Sequence, residues 1–279
     1  MTRSDDGQAS LLDNRQPEAG RRFDAFAVLF DPTTFRHIER LGIGAGARCW
    51  EVGAGGTSVV SWLARKAGPS GRVLATDIDT SWQTAEPAVS AEPAAPAEPA
   101  APVEVRRHDI GADEPPAERF DLVHARLVLV HVPDRDRALR TMTDALRPGG
   151  HLLVEDADPA LQPLLCPDEH GPAQELANRL RHGFRALLKE RGADLSYGRK
   201  LPRLLREAGL ERVEADAYFP LTSPACTALE TATVQQIRAT LVEAGLATDE
   251  DIDRHLDNVA QGSMDLATAP LISAWGRKP

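Results

Sequence analysis

The sequence predicts an α/β fold: a doubly wound, mostly parallel sheet of seven strands, with helices added at its N-terminus and between its later strands. Two observations carry this prediction. Short apolar runs that suit buried strands alternate with segments of helical periodicity, which is typical of a parallel sheet covered on both faces. A glycine-rich turn, 53-GAGGT-57, directly follows the first apolar run, as expected where the first strand of such a sheet passes into its helix.

The first part of the chain contains five of the seven predicted strands. The polar residues 1–20 are predicted to form a flexible tail, and residues 21–46 form a helical cap in which Asp31 and Pro32 begin a helix. The strands are predicted over residues 47–53, 72–77, 103–109, 120–125 and 151–156, and the helices between them over 57–68 and 134–147. A Pro-Gly-Gly turn at 148–150 is expected to reverse the chain into the fifth strand.

The remaining elements complete a single predicted domain over residues 21–279. A helical lid insert is predicted over 158–197 and a C-terminal helical insert over 222–268, with strands over 211–219 and 271–276. Residues 83–102 contain an imperfect Ala-Pro-Glu repeat, and its prolines exclude a regular helix. This segment is therefore predicted to be an inserted surface loop.

Composition narrows the function classes. The net charge of −10 disfavours a nucleic-acid partner, because a phosphate backbone requires a Lys/Arg surface. No apolar run is long enough to span a bilayer, and the polar N-terminus lacks the apolar core of a signal peptide, so a cytoplasmic protein is expected. The three cysteines have no spacing that suggests a metal site. The sequence leaves the oligomeric state open, including a homodimer.

The glycine-rich turn raises the question of which nucleotide it binds. A dinucleotide site requires G-x-G-x-x-G, but here Gly53 and Gly55 are followed by Ser58 at the third glycine position. Glu51 lies two residues before Gly53, where a carboxylate would repel a pyrophosphate and attract an ammonium group. This charge pattern favours S-adenosylmethionine, which carries an amino group and a sulfonium, over NAD or FAD.

Several segments together resemble the class I S-adenosylmethionine-dependent methyltransferases, in particular a group of actinobacterial small-molecule methyltransferases. The segments are 48-RCWEVGAGGTSVVSWLA-64, 73-VLATDID-79, 105-VRRHDI-110, 120-FDLVHARLVLVHVPDR-135, 145-ALRPGGHLLVED-156, 197-YGRKLPRLLREAGL-210 and 274-AWGRKP-279. They occur in family order over most of residues 22–279. The resemblance implies a Rossmann-like fold, S-adenosyl-L-methionine as cofactor and a small-molecule acceptor such as a secondary metabolite.

The resemblance also implies roles for individual residues. Glu51, Gly53, Ala54 and Gly55 would surround the methionine part of the cofactor. Asp77, with Ile78, would accept hydrogen bonds from the ribose hydroxyls, and Asp109, with Ile110, would contact the adenine ring. Ala125 and Arg126 would border the sulfonium. An Asp at a strand end is also a common turn former or helix cap, and this alternative stays open for Asp77 and for Asp109.

The chemistry of methyl transfer requires alignment of the acceptor and exclusion of water more than it requires a reactive side chain. A phenol, alcohol or ring-carbon acceptor would benefit from a general base. His131, which follows the fourth strand, is the candidate, and its alternative role is packing before Pro133. His124 is predicted to be structural. A second hypothesis is a protein that binds the cofactor but catalyses a non-methylating reaction or serves as a partner subunit.

Overall fold

A computed structural model describes residues 11–12, 17–81 and 100–279. The chain divides into two compact units. We call residues 30–158, 196–218 and 271–279 the sheet unit, and the described residues among 1–29, 159–195 and 219–270 the helical unit. The predicted tail over 1–20 and the inserted loop over 83–102 lie largely outside the described residues.

The sheet unit contains one sheet of seven strands, which confirms the predicted fold class. The strands are β1 Arg48–Val52, β2 Arg72–Asp77, β3 Val103–Arg107, β4 Phe120–Arg126, β5 Leu146–Ala157, β6 Glu211–Tyr218 and β7 Leu271–Arg277, in the spatial order β3-β2-β1-β4-β5-β7-β6. The first five strands are parallel, and β7 runs antiparallel to both β5 and β6. The carboxyl ends of β1, β2 and β4 therefore meet at one edge of the sheet.

Seven α-helices are described. They are α1 Pro17–Arg40, α2 Ser58–Ala67, α3 Arg135–Ala145, α4 Pro172–Glu190, α5 Leu201–Glu207, α6 Pro224–Glu243 and α7 Asp249–Ala260. Two 3-10 turns, Leu129–His131 and Gly198–Lys200, precede α3 and α5. The helical unit contains α4, α6 and α7 together with the first part of α1. In the described part of the chain, no helix has the length and apolar character needed to cross a membrane.

Two predicted boundaries are wrong. Asp31 and Pro32 do not begin a helix, because Pro32 lies inside the continuous helix α1. Pro32 lacks the backbone N–H that would donate to the carbonyl of Val28, so the helix loses only this one hydrogen bond. The loss is tolerated because Val28 is exposed to solvent. Residues 148–150 do not form a separate turn before the fifth strand. They lie within β5, which already begins at Leu146. A shift in register between β4 and β5 accommodates them, and proline in a sheet is tolerated at such irregularities.

Each face of the sheet buries its own apolar layer. Alternate residues of the central strands, such as Trp50, Val123 and Leu152, pack with Met142 of α3 and Leu205 of α5. The residues between them form the opposite face, where Cys49, Leu122 and Leu153 pack with Leu63 of α2 and Ile38 of α1. This second face changes character toward the carboxyl ends of the strands, where it becomes polar.

Candidate functional site

The glycine-rich turn follows β1 in a conformation that only glycine adopts without strain. Gly53 and Gly55 have φ values of 63° and 52°, in the left-handed region. A Cβ on Gly53 would lie 2.3 Å from Val128 Cγ2, a residue of the segment that follows β4. The Ala54 N–H donates to the Thr76 carbonyl of β2 at 3.0 Å. The turn is therefore held closely between the ends of β2 and β4.

Asp77 ends β2 and fixes the turn from the other side. Its Oδ2 accepts the Gly55 N–H at 3.0 Å, and its Oδ1 accepts the Asp79 N–H at 3.0 Å. The residue is buried, whereas its neighbour Ile78 is 63% exposed. Each carboxylate oxygen retains a second lone pair, so the same side chain is able to shape the turn and accept hydrogen bonds from a ligand.

The two residues predicted near an adenine ring lie in the turn after β3. Asp109 Oδ1 accepts the Gly111 N–H at 2.8 Å, so this side chain is the turn former that the sequence left open as an alternative. The Ile110 side chain is buried in the sheet core. The His108 N–H donates to the Asp77 carbonyl at 2.9 Å, which joins this turn to the end of β2.

The end of β4 lies beside the glycine-rich turn, because Ala125 pairs with Val52. Ala125 is buried. Arg126 is bound to α1, where its guanidinium donates to Asp31 Oδ1 at 2.8 Å and to Thr34 Oγ1 at 3.0 Å. The next residue, Leu127, has a φ of 58°, a conformation that costs a non-glycine residue about 1–3 kcal/mol. The chain therefore bends sharply beside the residues that the family resemblance places near the sulfonium.

Glu51, the acidic residue before the turn, belongs to a buried polar network. His124 Nδ1 lies 2.6 Å from Glu51 Oε2, and His124 Nε2 lies 3.2 Å from Glu155 Oε2. All three side chains are buried. Both ring nitrogens of His124 face carboxylate oxygens, an arrangement that favours the imidazolium, in which both nitrogens are donors.

Glu155 has a donor on every side. Its Oε1 accepts the Ser273 hydroxyl at 2.6 Å and lies 3.4 Å from His37 Nδ1, and its Oε2 also accepts the Thr34 hydroxyl. His37 Nε2 lies 3.0 Å from Asp216 Oδ2. The network thus runs from Glu51 through two histidines and Glu155 to Asp216, with acids and bases in alternation.

The protonation states follow from this alternation. Burial alone would lower the pKa of His124, but the Glu51 and Glu155 carboxylates outweigh it and raise the pKa to about 9. Burial would raise the pKa of Glu155, yet hydrogen bonds from His124 and His37 hold it well below its usual value. His37, opposed by burial and supported by Glu155 and Asp216, also has a raised pKa.

His131, the candidate base, is exposed at the end of the first 3-10 turn. Two side chains hold this turn. Asp156 Oδ2 accepts the Val130 N–H at 3.0 Å, and the Arg135 guanidinium donates to the carbonyls of Leu129 and Val130 at 3.0 Å each. Burial raises the pKa of Asp156 to about 7, against the opposing backbone donors.

The sequence reasoning missed the network, although it named Glu51 and assigned His124 a structural role. The signal lies in three strands: Glu51, His124 and Glu155 each follow a buried apolar residue of the same face by two positions. Recognising it requires the strand order and the register, because Glu51 pairs with His124 only once β1 and β4 are known neighbours. Residues 34 and 37 come from a helix whose position no local pattern predicts.

Comparison with known proteins identifies this arrangement. Residues 26–215, more than half of the chain, match the methyltransferase-domain family. The chain belongs to that family. It is an S-adenosylmethionine-dependent methyltransferase.

Three relatives illustrate the similarity. Methyltransferase GfsG of Streptomyces halstedii is 27% identical over 247 residues, which cover 88% of this chain and 82% of that protein. Methyltransferase str2 of Strobilurus tenacellus is 32% identical over 62% of this chain and 53% of its own length. The ubiquinone/menaquinone biosynthesis C-methyltransferase UbiE of Hahella chejuensis is 30% identical over 46% and 50%. The matched region thus spans about half of the last two proteins.

Solved structures share the fold. Phosphoethanolamine N-methyltransferase 2 of Haemonchus contortus, in complex with S-adenosyl-L-methionine, superposes with a TM-score of 0.53 at 16% identity, covering 98% of this chain and 61% of that protein. The YcgJ protein of a Bacillus species gives a TM-score of 0.50 at 14% identity, covering 87% and 96%. At these identities the likeness concerns the fold alone.

The close approach of Gly53 to Val128 gives a first prediction. Gly53→Ala combines a left-handed backbone with a steric conflict and should lower the free energy of unfolding by about 2–5 kcal/mol. Gly44→Ala is the matched control, because no atom lies within 4 Å of its added Cβ and a change of less than about 0.5 kcal/mol is expected. Chemical denaturation measures both, and equal effects would contradict the tight fit of the turn.

The cationic state of His124 gives a second prediction. A pKa raised from 6.5 to about 9 contributes stability that is fully present below pH 6.5 and is lost as the pH rises through 9. The free energy of unfolding should therefore fall by about 3 kcal/mol over this range. Urea denaturation of the wild type and of His124→Gln between pH 6.5 and 9.5 measures the loss, and a wild-type curve as flat as that of the variant would refute the assignment.

Proposed function

We propose that this methyltransferase transfers a methyl group to a small-molecule acceptor such as a secondary metabolite. The relatives support the acceptor class: UbiE acts in quinone biosynthesis by its name, and resE of Aspergillus sclerotiorum is named an O-methyltransferase. The net charge of −10 also favours an acceptor other than a nucleic acid. One observation carries the proposal: Glu51, the glycine-rich turn and Asp77 lie together at the carboxyl ends of β1 and β2.

The residues at this edge fit the cofactor in chemical type. Glu51 Oε2 is engaged by His124, while Oε1 has no hydrogen-bond donor among the described residues. This free oxygen is the acceptor we assign to the cofactor's ammonium group. Asp77 would accept the ribose hydroxyls, and the turn after β3, with Asp109 and Ile110, would border the adenine.

The cofactor supplies an electrophilic methyl group on a positively charged sulfur. The contribution of the chain is to hold that group and the acceptor in line and to exclude water. The bend after Arg126 and the side chain of Val128, packed on Gly53, define the wall on this side. Arg126 is neutralised by Asp31, so its role is to fix α1 against β4.

His131 is the residue we assign to proton removal from the acceptor. Asp156 and Arg135 hold the backbone of its turn. The backbone that carries the exposed His131 side chain is therefore fixed beside the sharp bend after β4. A general base assists O- and ring-carbon acceptors, for which a proton must leave, and is dispensable for a carboxylate.

The remaining parts of the proposal concern assembly and compartment. All three cysteines are free thiols, and burial raises the pKa of Cys49 to about 12, so it is an inert thiol. We infer a cytoplasmic enzyme, monomeric or homodimeric, that requires neither a nucleic acid nor a membrane for activity.

Asp77 gives the test of the cofactor pocket. Asp77→Ala removes a charged acceptor and should weaken binding of S-adenosylhomocysteine by about 10–100-fold, measured by calorimetry. Asp79→Ala is the matched control. It removes the carboxylate two residues further along the chain but keeps the backbone N–H of residue 79, which donates to Asp77. Unchanged affinity in Asp77→Ala, or no binding by the wild type, would overturn the proposed pocket.

His131 gives the test of the chemistry. With an acceptor found among phenols, alcohols and quinone-type carbon nucleophiles, His131→Gln should lower kcat by about 100-fold or more and leave affinity for S-adenosylhomocysteine unchanged. The acidic limb of the pH–rate profile should disappear with it. His170→Gln, another exposed histidine, serves as the control, and full activity in His131→Gln would exclude the base.

A further inference from the structure

One oxygen of a buried carboxylate lacks a donor although the other is tightly held. Glu51 is 3% exposed, and its Oε2 receives the 2.6 Å contact from His124. Among the described residues no donor lies within hydrogen-bonding distance of Oε1. Oε1 is not one of the described buried polar atoms that lack a partner, so this oxygen lies where solvent or a cationic ligand is able to reach it.

The contact from His124 has a defined direction because His124 cannot turn away. Its second nitrogen is bound to Glu155, and Glu155 is in turn held by donors from α1 and β7. The ring is completely buried. The imidazolium therefore presents its Nδ1–H to Glu51 from a fixed position.

In the described part of the chain, His124 is the one cation paired with Glu51. Glu51, Glu155 and Asp216 are acids, and His124 and His37 are the two cations that alternate with them. The nearby Arg126 is paired with Asp31, Asp77 accepts backbone N–H groups from two residues, and the Cys49 thiol is neutral because burial raises its pKa to about 12. Arg36 reaches only Asp216, at 3.6 Å, with half of its side chain exposed.

We propose that His124 is a positioning residue for the cofactor: its imidazolium keeps Glu51 ionised and directs the free oxygen of Glu51 to the cofactor's ammonium group. This inference rests on the proposed role of Glu51 as the ammonium acceptor. His124 is completely buried between Glu51 and Glu155, so we assign it no contact with the methyl donor or the acceptor.

Removal of the imidazolium has a specific consequence. In His124→Gln two buried carboxylates, Glu51 and Glu155, lose the cation between them, and burial favours the neutral acid. Protonation of Glu51 is then favoured in the variant, and an ammonium ligand must displace that proton. Affinity for such ligands becomes dependent on pH: it is weak at low pH and recovers as the pH rises.

The test uses two ligands of the full-length enzyme and calorimetry from pH 5.5 to 7.5. S-adenosylhomocysteine carries the ammonium group, and 5′-methylthioadenosine lacks the whole amino-acid part. In the wild type, affinity for both should be independent of pH. In His124→Gln, S-adenosylhomocysteine should bind about 10-fold more weakly at pH 5.5 than at pH 7.5, and 5′-methylthioadenosine should bind as in the wild type.

Two control variants separate this inference from the proposed site. Glu51→Gln should weaken only S-adenosylhomocysteine, and an equal effect on both ligands would overturn the ammonium site itself. His255→Gln alters another fully buried histidine that contacts a carboxylate, Glu230, at 2.9 Å, and it should introduce no pH dependence. A pH-independent affinity in His124→Gln, with the expected result for Glu51→Gln, would overturn the role of His124 alone.

A measurement on the wild type keeps the inference testable if His124→Gln does not fold. If Glu51 is ionised before binding, S-adenosylhomocysteine binds at pH 6 without net proton release, as measured by calorimetry in buffers of different ionisation enthalpy. Release of about one proton by S-adenosylhomocysteine, but none by 5′-methylthioadenosine, would contradict the inference.

Discussion

The carboxylate of Glu155 is fully buried, and the arrangement of the candidate site depends on how it is satisfied. Its two oxygens contact Thr34 and His37 from α1, His124 from β4 and Ser273 from β7. A buried charge that loses a partner costs about 3–5 kcal/mol. These contacts therefore fix the position of the second half of α1 on the sheet and, through His124, the side chain of Glu51.

The same constraint joins the architecture of the sheet to cofactor chemistry. A doubly wound sheet places its ligand beyond the carboxyl ends of its strands, and here the face beneath the glycine-rich turn changes from apolar to charged at that end. Cys49, Leu122 and Leu153 belong to the apolar layer, and the residues two positions later in each strand are Glu51, His124 and Glu155 of the buried polar network. The protein thus places the Glu51 carboxylate directly before the glycine-rich turn.

Much of this could be predicted from the sequence, for reasons that differ between elements. All seven strands were predicted with the correct order along the chain, because buried runs such as 72-RVLATD-77 have a strong local signal. The glycine pattern and Glu51 indicated the cofactor class, and the family match confirmed it. These features depend on residues that are close in sequence.

What could not be predicted depends on contacts between distant segments. The local preference of Pro32 favours a helix start. The helix instead continues through it, because residues on both sides, such as Phe30 and Thr34, are buried by packing. The links from Glu155 to His37 and from Arg126 to Asp31 each join residues about a hundred positions apart. Asp109 was ambiguous by itself, and the hydrogen bond to Gly111 shows that it shapes its own turn.

The most direct test of the central claim is a crystal structure of the enzyme with S-adenosylhomocysteine. The account predicts the ammonium group within hydrogen-bonding distance of Glu51 Oε1, with His124 still bridging Glu51 and Glu155, and the ribose hydroxyls on Asp77. A ligand whose ammonium group contacts another residue, with Glu51 still bound only to His124, would contradict it.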